Sequence, residues 1–363
     1  MRIATEVKGY ITVPSPKDII YAPIDLAVSI SNGLVERGHQ VDFYGPEGSH
    51  LKKANLVTMG LRPLAHTYDE YQAILFNPSL QSDNVLALWD QYLAEQMFRK
   101  AHAGEYDLLH FHHPEVALPF TKVYPDVPVV YTLHDPVEAL QYEILEMFAS
   151  PSQHYISISD KQRETAPNLN YAGTIYNGID TNYFAFNSGK RDDYLLFLGS
   201  ILPRKGAKEA VEVAIKTNSR LLLVGPTYPE EQGYFNTYIA PFLNDKIQYI
   251  GHVPHNKIAS YFQHAKAFLM PIQWEEPFGL TMSEAMSCGT PVIAFDRGSV
   301  SEILIHGKTG FITHTVDEMA EAVQHIENIN PAVCRAHVVE KFSVATMING
   351  YEETFDRILK APK

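Results

Sequence analysis

The stretch Glu275-Glu-Pro-Phe-Gly-Leu-Thr-Met-Ser-Glu-Ala-Met-Ser-Cys-Gly-Thr-Pro-Val-Ile-Ala294 decides the fold of this chain. It follows one short apolar run and ends in another, Pro291–Phe295, so it predicts a turn and a helix between two strands. Thr281 and Glu284 have the spacing of a capping box, which predicts that the helix starts at Thr281. Strand–helix–strand units of this kind build parallel sheets that are covered by helices.

The same alternation of strands and helices extends in both directions from this stretch. The predicted strands are Arg2–Val7, Val41–Tyr44, Leu108–Phe111, Val127–Leu133, Tyr155–Ser159, Tyr194–Leu198, Arg220–Val224, Ile247–Ile250, Ala267–Pro271 and Pro291–Phe295. The predicted helices include Pro23–Arg37, Ala207–Lys216, Ile258–His264 and Val344–Leu359. A polar break at residues 183–193 separates two series of units. The pattern therefore predicts an α/β fold with two Rossmann-like β/α/β domains that face each other across a cleft.

We place the first domain at residues 1–183 and the second at 190–343, with a final helix at about 344–363 that packs back on the first domain. The net charge of the 363 residues is −13, which argues against nucleic-acid binding, since that depends on clustered positive charge. Residues 1–188 carry −10 and residues 189–363 only −3. An anionic ligand is therefore held more easily by the second half.

Two cysteines exclude a disulfide scaffold. The chain has no apolar run long enough to span a membrane and no apolar segment typical of a secretory leader. We therefore expect a cytoplasmic protein without a transmembrane segment. The sequence does not indicate an oligomeric state.

The helix start at Thr281 predicts a phosphate-binding site, because free N–H groups and the positive end of the helix dipole favour an anion. Gly279 allows a ligand to come close to the backbone. Glu276 precedes the helix and Glu284 lies in its first turn, and carboxylates accept hydrogen bonds from sugar hydroxyls. In the alternative interpretation, Glu284 only caps the helix and Glu276 is a solvated loop residue.

Arg204 and Lys205 follow a predicted strand and precede a predicted helix, a position that suits binding of a diphosphate. Alternatively, they are two surface cations in a turn. His134 ends the apolar strand Val127–Leu133, on the side of the sheet where sites form, although a lone histidine is more often structural.

The segment His110-Phe-His-His-Pro-Glu115 invites a metal interpretation. Strand alternation places His110 and His112 on the same face. No second set of ligands with suitable spacing accompanies them, so we predict no metal site. A metallohydrolase built on His110, His112 and His113 is the least favoured alternative.

Glu276-Pro-Phe-Gly-Leu-Thr-Met-Ser-Glu284 and the following Gly-Thr-Pro-Val292 resemble the E-x7-E segment of the family 4 glycosyltransferases, which have the GT-B fold. Further segments agree in order along nearly the whole chain: Leu34–Val41, Asp107–His112, Ser157–Asp160, Asn177–Asp180 and Lys205-Gly206. The resemblance implies a retaining hexosyltransferase that uses a nucleoside diphosphate sugar, UDP- or GDP-linked, as co-substrate. It implies no cofactor and no obligatory metal. The acceptor would be a sugar or another small molecule.

The resemblance also assigns roles to individual residues. His134 and Glu276 would be the catalytic residues at the transferred sugar. The donor would be bound by Gly199, Arg204, Lys205, Val253, Pro277, Phe278, Gly279, Leu280, Thr281 and Glu284. Aromatic and histidine side chains on the acceptor side are Tyr21, His112 and His113.

This chain departs from the family pattern at two places. Gly199-Ser200 stands where the family commonly has Gly-Arg, and Ala22-Pro23 stands where it has Gly-Gly. Proline lacks an N–H group, so Pro23 cannot donate a hydrogen bond to a ligand. A nucleotide-sugar-binding protein without catalysis, or an epimerase or phosphorylase of the same general fold, therefore stays open as an alternative.

Overall fold

The computed structural model describes residues 1–16, 19, 21–82 and 84–361. The chain divides into two compact units, which we call unit 1 (Met1–Gly178 with Val344–Lys363) and unit 2 (Ile179–Ser343). The last two residues of the predicted final segment, Pro362 and Lys363, lie outside the described residues.

Unit 1 contains a parallel sheet of seven strands. Its strands are β1 (Arg2–Glu6), β2 (Gln40–Tyr44), β3 (Asn55–Val57), β4 (Leu108–Phe111), β5 (Val129–Thr132), β6 (Gln153–Ser157) and β7 (Tyr171–Thr174). They lie in the order β3-β2-β1-β4-β5-β6-β7. β4 and β5 are buried along their whole length, as expected for strands that are covered on both faces.

Six helices of unit 1 connect these strands. They are α1 (Ala22–Glu36), α2 (Tyr68–Leu75), α3 (Pro78–Ser82), α4 (Val85–His102), α5 (Pro114–Val123) and α6 (Ala139–Met147). Only α1 was identified from the sequence. The buried face of α4 includes Asp90 among apolar residues, which interrupts the apolar periodicity by which a helix is identified.

Unit 2 repeats the architecture with six parallel strands. They are β8 (Tyr194–Leu198), β9 (Arg220–Val224), β10 (Ile247–Gly251), β11 (Ala267–Met270), β12 (Val292–Phe295) and β13 (Gly310–Thr313), in the order β10-β9-β8-β11-β12-β13. The helices are α7 (Ala207–Thr217), α8 (Gln232–Tyr238), α9 (His255–His264), α10 (Leu280–Ser287), α11 (Val300–Ile303), α12 (Val316–His325) and α13 (Pro331–Lys341). Two parallel-sheet, Rossmann-like units confirm the predicted α/β class.

The polar segment that the sequence suggested as a break lies within unit 2. Asn187 Nδ2 donates to the Gln263 carbonyl over 2.7 Å, and Arg335 Nη1 donates to the Phe184 carbonyl over 2.9 Å. These bonds attach the segment to α9 and α13. Unit 2 consequently begins at Ile179, earlier than the residue 190 that the break suggested.

The last helix, α14 (Val344–Lys360), belongs to unit 1. It buries Met347, Ile348, Tyr351, Thr354 and Phe355. Ile348 packs on α1 at Gly33, where a Cβ atom would lie 2.0 Å from Ile348 Cδ1. A residue with a side chain at position 33 would push the two helices apart.

Strand order reverses direction at one place in each sheet, beside β1 in unit 1 and beside β8 in unit 2. In open parallel sheets, ligands bind beyond the carboxyl ends of the strands at such a reversal. The loops that follow β1 and β4, and those that follow β8 and β11, are therefore where sites are expected.

Candidate active site

In unit 2, two loops at the reversal bring a cation and a carboxylate together. Lys205 ends a 3-10 turn, Pro203–Lys205, after β8, and Glu276 lies in the loop after β11. Lys205 Nζ donates to Glu276 Oε2 over 2.7 Å. Their side chains are 27% and 12% exposed, so the pair is shielded from water yet still reachable by a ligand.

Trp274, which the sequence analysis did not single out, lies at the centre of this group. Its indole Nε1 donates to the same Glu276 Oε2 over 3.1 Å. The Arg204 guanidinium lies over the indole ring, with Cζ 4.7 Å from its centre, and Lys205 Nζ lies 5.3 Å from it. Such cation–π contacts favour positive charge beside the ring. The only signal in the sequence was an aromatic residue directly before the Glu-Glu pair.

Both hydrogen bonds that the Glu276 carboxylate accepts from described residues end on Oε2. Its second oxygen, Oε1, is therefore left to accept hydrogen bonds from ligand hydroxyls. Lys205 uses one of its three N–H groups on Glu276, which leaves two for phosphate oxygens. The group can thus bind a molecule that carries both hydroxyls and phosphates.

Two glycines hold these loops at close approach. Gly206 has φ +82° and lies against the residue that follows β11, since a Cβ atom would come 1.9 Å from the Pro271 carbonyl oxygen. Gly298 has φ +55°, and a Cβ there would come 2.1 Å from the Glu276 carbonyl oxygen. Neither glycine was predicted as part of the site.

The helix that follows Glu276 begins one residue earlier than predicted. α10 starts at Leu280, and its N-cap is Gly279 in a left-handed conformation with φ +70°. No side chain caps the helix, so the predicted capping box of Thr281 and Glu284 is wrong. Gly279 turns the chain by itself, and the N–H groups of the first turn are left without a side-chain cap, as an anion site requires.

The other residues of the motif are placed differently from one another. Phe278 is buried, and its ring packs edge-on against Phe342 at 5.8 Å, so its side chain belongs to the core. Pro277 is also buried, whereas Leu280 and Thr281 are partly buried at the helix start. The backbone groups of Leu280 and Thr281 lie in the first turn of α10.

Glu284 lies inside α10, where burial raises the pKa of its carboxyl to about 7. A carboxylate binds a diol more strongly than the neutral acid does, because both of its oxygens accept hydrogen bonds. If Glu284 binds the ribose of a nucleotide, nucleotide affinity rises as the pH increases from about 6 to 8.

We expect Glu284→Gln to remove most of this pH dependence, because the amide does not titrate in that range. The measurement is the dissociation constant of UDP by calorimetry at several pH values for both proteins. Glu302→Gln, which changes a carboxylate on α11 of the same unit, is the control. A wild-type affinity that is constant from pH 6 to 8 contradicts the assignment of Glu284.

Gly199 follows β8 and Val253 follows β10, two strands of the same sheet that are separated by β9. The Gly199 carbonyl packs on Gly225, where a Cβ atom would come 2.0 Å from it, so the ends of β8 and β9 are in close contact. Val253 is buried two residues after β10. The Tyr249 hydroxyl on β10 donates to the Gly225 carbonyl over 3.0 Å. This hydrogen bond ties β10 to the start of the loop that follows β9.

We expect Trp274→Phe to lower donor turnover about tenfold, because it removes one hydrogen bond to a charged oxygen. It keeps an aromatic ring beside Arg204. Steady-state rates of donor turnover give the measurement. Trp89→Phe is a matched control, since Trp89 Nε1 also makes one hydrogen bond, to the Arg62 carbonyl over 3.1 Å in unit 1. Equal effects of the two substitutions would contradict a role of Trp274 in the site.

In unit 1, two candidate histidines meet at the ends of β4 and β5. His112 Nδ1 and His134 Nε2 share a hydrogen bond of 2.8 Å, and the rings stack at 5.1 Å. Burial lowers the pKa of His134 to about 4, and burial with the nearby His110 lowers that of His112. Both rings are therefore neutral at pH 7.

Tyr21 and His113 form a second pair in unit 1. The Tyr21 hydroxyl is hydrogen-bonded to His113 Nε2, and the two rings stack at 6.0 Å. Lys8 Nζ lies 5.7 Å from the centre of the Tyr21 ring. This places a cation and two aromatic rings in the loops that follow β1 and β4.

A buried acidic pair underlies the loop after β1. Glu6 has no exposed surface, and within the part of the chain that the structure describes neither of its carboxyl oxygens has a hydrogen-bond partner. Burial and the nearby Asp90 raise the pKa of Glu6 well above its usual range. Asp90 accepts a 2.6 Å hydrogen bond from the Gly9 backbone N–H. The sequence analysis identified neither carboxyl group.

His110 does not join the other histidines in a ligand set. Its Nε2 is hydrogen-bonded to Thr132 Oγ1 over 2.9 Å. Over residues 1–16, 19, 21–82 and 84–361, no group of three His, Cys, Asp or Glu side chains is arranged to hold a metal ion.

Two family models match the chain side by side. "Glycosyltransferase Family 4" matches residues 26–183, and "Glycosyl transferases group 1" matches residues 179–336. Together they cover most of unit 1 and nearly all of unit 2. The chain belongs to the family 4 glycosyltransferases.

Curated relatives of this glycosyltransferase act on different molecules. D-inositol 3-phosphate glycosyltransferase of Pseudarthrobacter chlorophenolicus is 26% identical over 273 residues, which are 63% of this chain and 64% of that protein. The chain thus spans a little less than two thirds of that relative. N-acetyl-alpha-D-glucosaminyl L-malate synthase of Bacillus anthracis is 22% identical over 93% of this chain and 94% of its own length.

Solved structures show the same fold. Anabaena HepE in complex with UDP superimposes on this glycosyltransferase with a TM-score of 0.72 at 18% identity, over 98% of this chain and all of that one. The chain therefore has the GT-B architecture of two Rossmann-like units. In the described part of this glycosyltransferase, no helix is both long enough and apolar enough to cross a membrane.

Proposed function

We propose that this glycosyltransferase moves a hexose from a nucleoside diphosphate sugar to a hydroxyl group of a sugar or another small acceptor. The observation that carries the proposal is the Lys205–Glu276 pair, held by Trp274 beside Arg204 at the strand ends of unit 2. It presents cations for a diphosphate and a carboxylate oxygen for sugar hydroxyls. We propose UDP or GDP as the nucleotide, and HepE, which was solved with UDP and with UDP-glucose, supports testing UDP first.

In this proposal, Lys205 and Arg204 bind the diphosphate together with the N–H groups at the start of α10. Arg204 is exposed and lies on the Trp274 ring, so its guanidinium can reach outward. Glu276 Oε1 accepts from the sugar hydroxyls. Hydrogen bonds from the charged groups of Lys205 and Arg204 to phosphate oxygens are shorter and stronger than those between neutral groups. The two cations therefore favour a phosphorylated ligand.

We assign the remaining contacts to the nucleotide sugar to backbone groups, except for the contact made by the Glu284 side chain. We assign the Phe278–Thr281 backbone to the phosphate and the sugar, and Glu284 to the ribose. The backbone near Gly199 and Val253 is assigned to the nucleotide. In unit 1, we assign His134 to the transferred sugar, with Tyr21, His112 and His113 on the acceptor side.

We propose a reaction with retention at the anomeric carbon and no required metal ion. The bond from the anomeric carbon to the leaving phosphate oxygen breaks, and the bond to the acceptor oxygen forms on the same face. The acceptor's proton passes to the leaving phosphate. Lys205, Arg204 and the helix start stabilise the negative charge that develops on the diphosphate.

A panel of nucleotides and nucleotide sugars, tested by thermal shift, is the first experiment. We expect UDP or GDP, and one of their sugars, to raise the melting temperature, because a ligand that binds only the folded state stabilises it. Product anomers assigned by NMR test retention, and turnover after chelation with EDTA tests metal independence. A panel without any shift contradicts the proposed donor class.

A nucleotide-sugar-binding protein without catalysis is the second candidate. It is favoured by Pro23, which lies in the first turn of α1 at the end of the loop that follows β1 and cannot donate a backbone hydrogen bond. Binding without transfer or donor hydrolysis across an acceptor screen would support it. Epimerised nucleotide sugar, or a requirement for inorganic phosphate, would instead indicate an epimerase or a phosphorylase. The cytoplasmic location stays a prediction.

A further inference from the structure

The hydrogen bond between His112 and His134 restricts where each ring holds its proton. Both rings are neutral, so each has one N–H group and one lone pair. His112 Nδ1 and His134 Nε2, 2.8 Å apart, share a single proton between them. Either His112 donates to His134, or His134 donates to His112.

The second nitrogen of His112 distinguishes the two arrangements. His112 is 2% exposed, and its buried Nε2 has no hydrogen-bond partner among the described residues. If His134 were the donor, the remaining proton of His112 would sit on Nε2 as a buried N–H group without an acceptor. Folded proteins very rarely contain such orphaned donors and tolerate an unused lone pair more readily.

The favoured arrangement therefore has His112 Nδ1–H donating to His134 Nε2. The single proton of His134 is then on Nδ1. No residue in the described part of the chain bonds to this nitrogen. His134 is only partly buried, so a ligand can reach it.

We propose that His112 is a positioning residue that holds His134 as a hydrogen-bond donor through Nδ1 and prevents it from acting as a base. The lone pair of His134 is occupied by His112, so His134 has no free site for a proton from the acceptor hydroxyl. It can only donate to an oxygen atom of the sugar or the acceptor.

This inference rests on the proposed function, and it sharpens the proposed proton path. The leaving phosphate, and not His134, takes the acceptor's proton. The same arrangement predicts that turnover shows no ionisation of His134 near pH 6–7, where a histidine base would titrate.

A chain of contacts through His110 also supports the His112 ring. The His110 ring lies 4.4 Å from the His112 ring, and His110 Nε2 is hydrogen-bonded to Thr132 Oγ1. The Tyr351 hydroxyl lies 3.0 Å from the same Thr132 oxygen. This chain of contacts ties the histidine pair to α14.

The direct test is 15N NMR of the protein labelled at histidine nitrogens, because protonated and bare ring nitrogens resonate at different shifts. In the wild-type protein, we expect His134 to be protonated on Nδ1. His112→Leu, which has no donor, should shift His134 toward the Nε2-protonated form and lower kcat about tenfold, as expected for one lost hydrogen bond. His112→Asn keeps an amide N–H near the position of Nδ1 and should retain the wild-type tautomer and most of the turnover.

His154→Leu is the matched control, because His154 lies near the amino end of β6 and bonds to Asn170 instead. A wild-type His134 protonated on Nε2 overturns the proposal, as does an unchanged tautomer in His112→Leu. If His112→Leu does not fold, the wild-type spectrum and His112→Asn still decide the question. If the proposed function is wrong, the wild-type protein will transfer no sugar. The NMR measurement of the His134 tautomer does not depend on that activity, so the two failures can be told apart.

Discussion

Lys205→Ala is expected to lower the rate of sugar transfer by about 10²–10³-fold, the range for one lost electrostatic contact to a developing charge. Lys205 is the partly buried cation closest to Glu276, and in our proposal it neutralises the departing diphosphate. The measurement is the steady-state transfer or donor-hydrolysis rate, with folding checked by circular dichroism. The protein should stay folded, since one ion pair near the surface contributes little to stability.

The control for this substitution is Lys216→Ala in the same unit. Lys216 also makes an ion pair, with Asp317 at 2.7 Å, but it lies at the end of α7 away from the strand ends. Its loss should leave the rate unchanged. Glu276→Ala should lose most activity as well, because Oε1 is the oxygen assigned to the sugar. Wild-type turnover in Lys205→Ala or Glu276→Ala would show that the pair is not the donor site.

Gly298→Ala should destabilise unit 2 and remove activity together. The new Cβ would lie 2.1 Å from the Glu276 carbonyl oxygen and 2.4 Å from its backbone nitrogen. Ser299 N–H donates to that carbonyl over 2.9 Å, so the loop cannot retreat without breaking a hydrogen bond. The overpacked Cβ atom and the left-handed backbone conformation together should lower the free energy of unfolding by about 2–4 kcal/mol. Urea denaturation measures this loss.

Gly307→Ala separates the effect of overpacking on stability from that of the left-handed backbone conformation. Gly307 also has a positive φ, +73°, but apart from its two chain neighbours no described residue comes within 4 Å of the position of its Cβ. It should therefore cost only about 1–2 kcal/mol of conformational strain and leave transfer unchanged. If both variants lose the same stability and keep their activity, the contact between Gly298 and the Glu276 loop has no role in the site.

The predicted elements of unit 2 agree with the structure more closely than those of unit 1. Tyr194–Leu198 and Arg220–Val224 were predicted with their observed bounds, because buried parallel strands are continuous apolar runs. In unit 1, the region between β3 and β4 was not assigned. Its longest helix, α4, buries Asp90, and a charged residue on the buried face conceals the helical pattern.

The start of α10 shows a limit of motif spacing. Thr281 and Glu284 have the spacing of a capping box, but Gly279 already turns the chain at φ +70°. A Cβ at Gly279 would lie 2.9 Å from Met282 Cε, so the turn depends on a glycine packed against its own helix. Spacing along the chain carries no information about this contact, and the burial that raises the pKa of Glu284 was equally invisible.

By itself, the sequence determined two series of β–α units and the order of the motifs along them, because hydrophobic periodicity and turn residues act between near neighbours. It also singled out Lys205, Glu276, His112 and His134 one by one. Only the tertiary structure decided which of them meet. Lys205 and Glu276 are 71 positions apart, and His112 and His134 are 22 apart. Their contacts, like those of Trp274, arise because the order of parallel strands brings distant loops to one edge of a sheet.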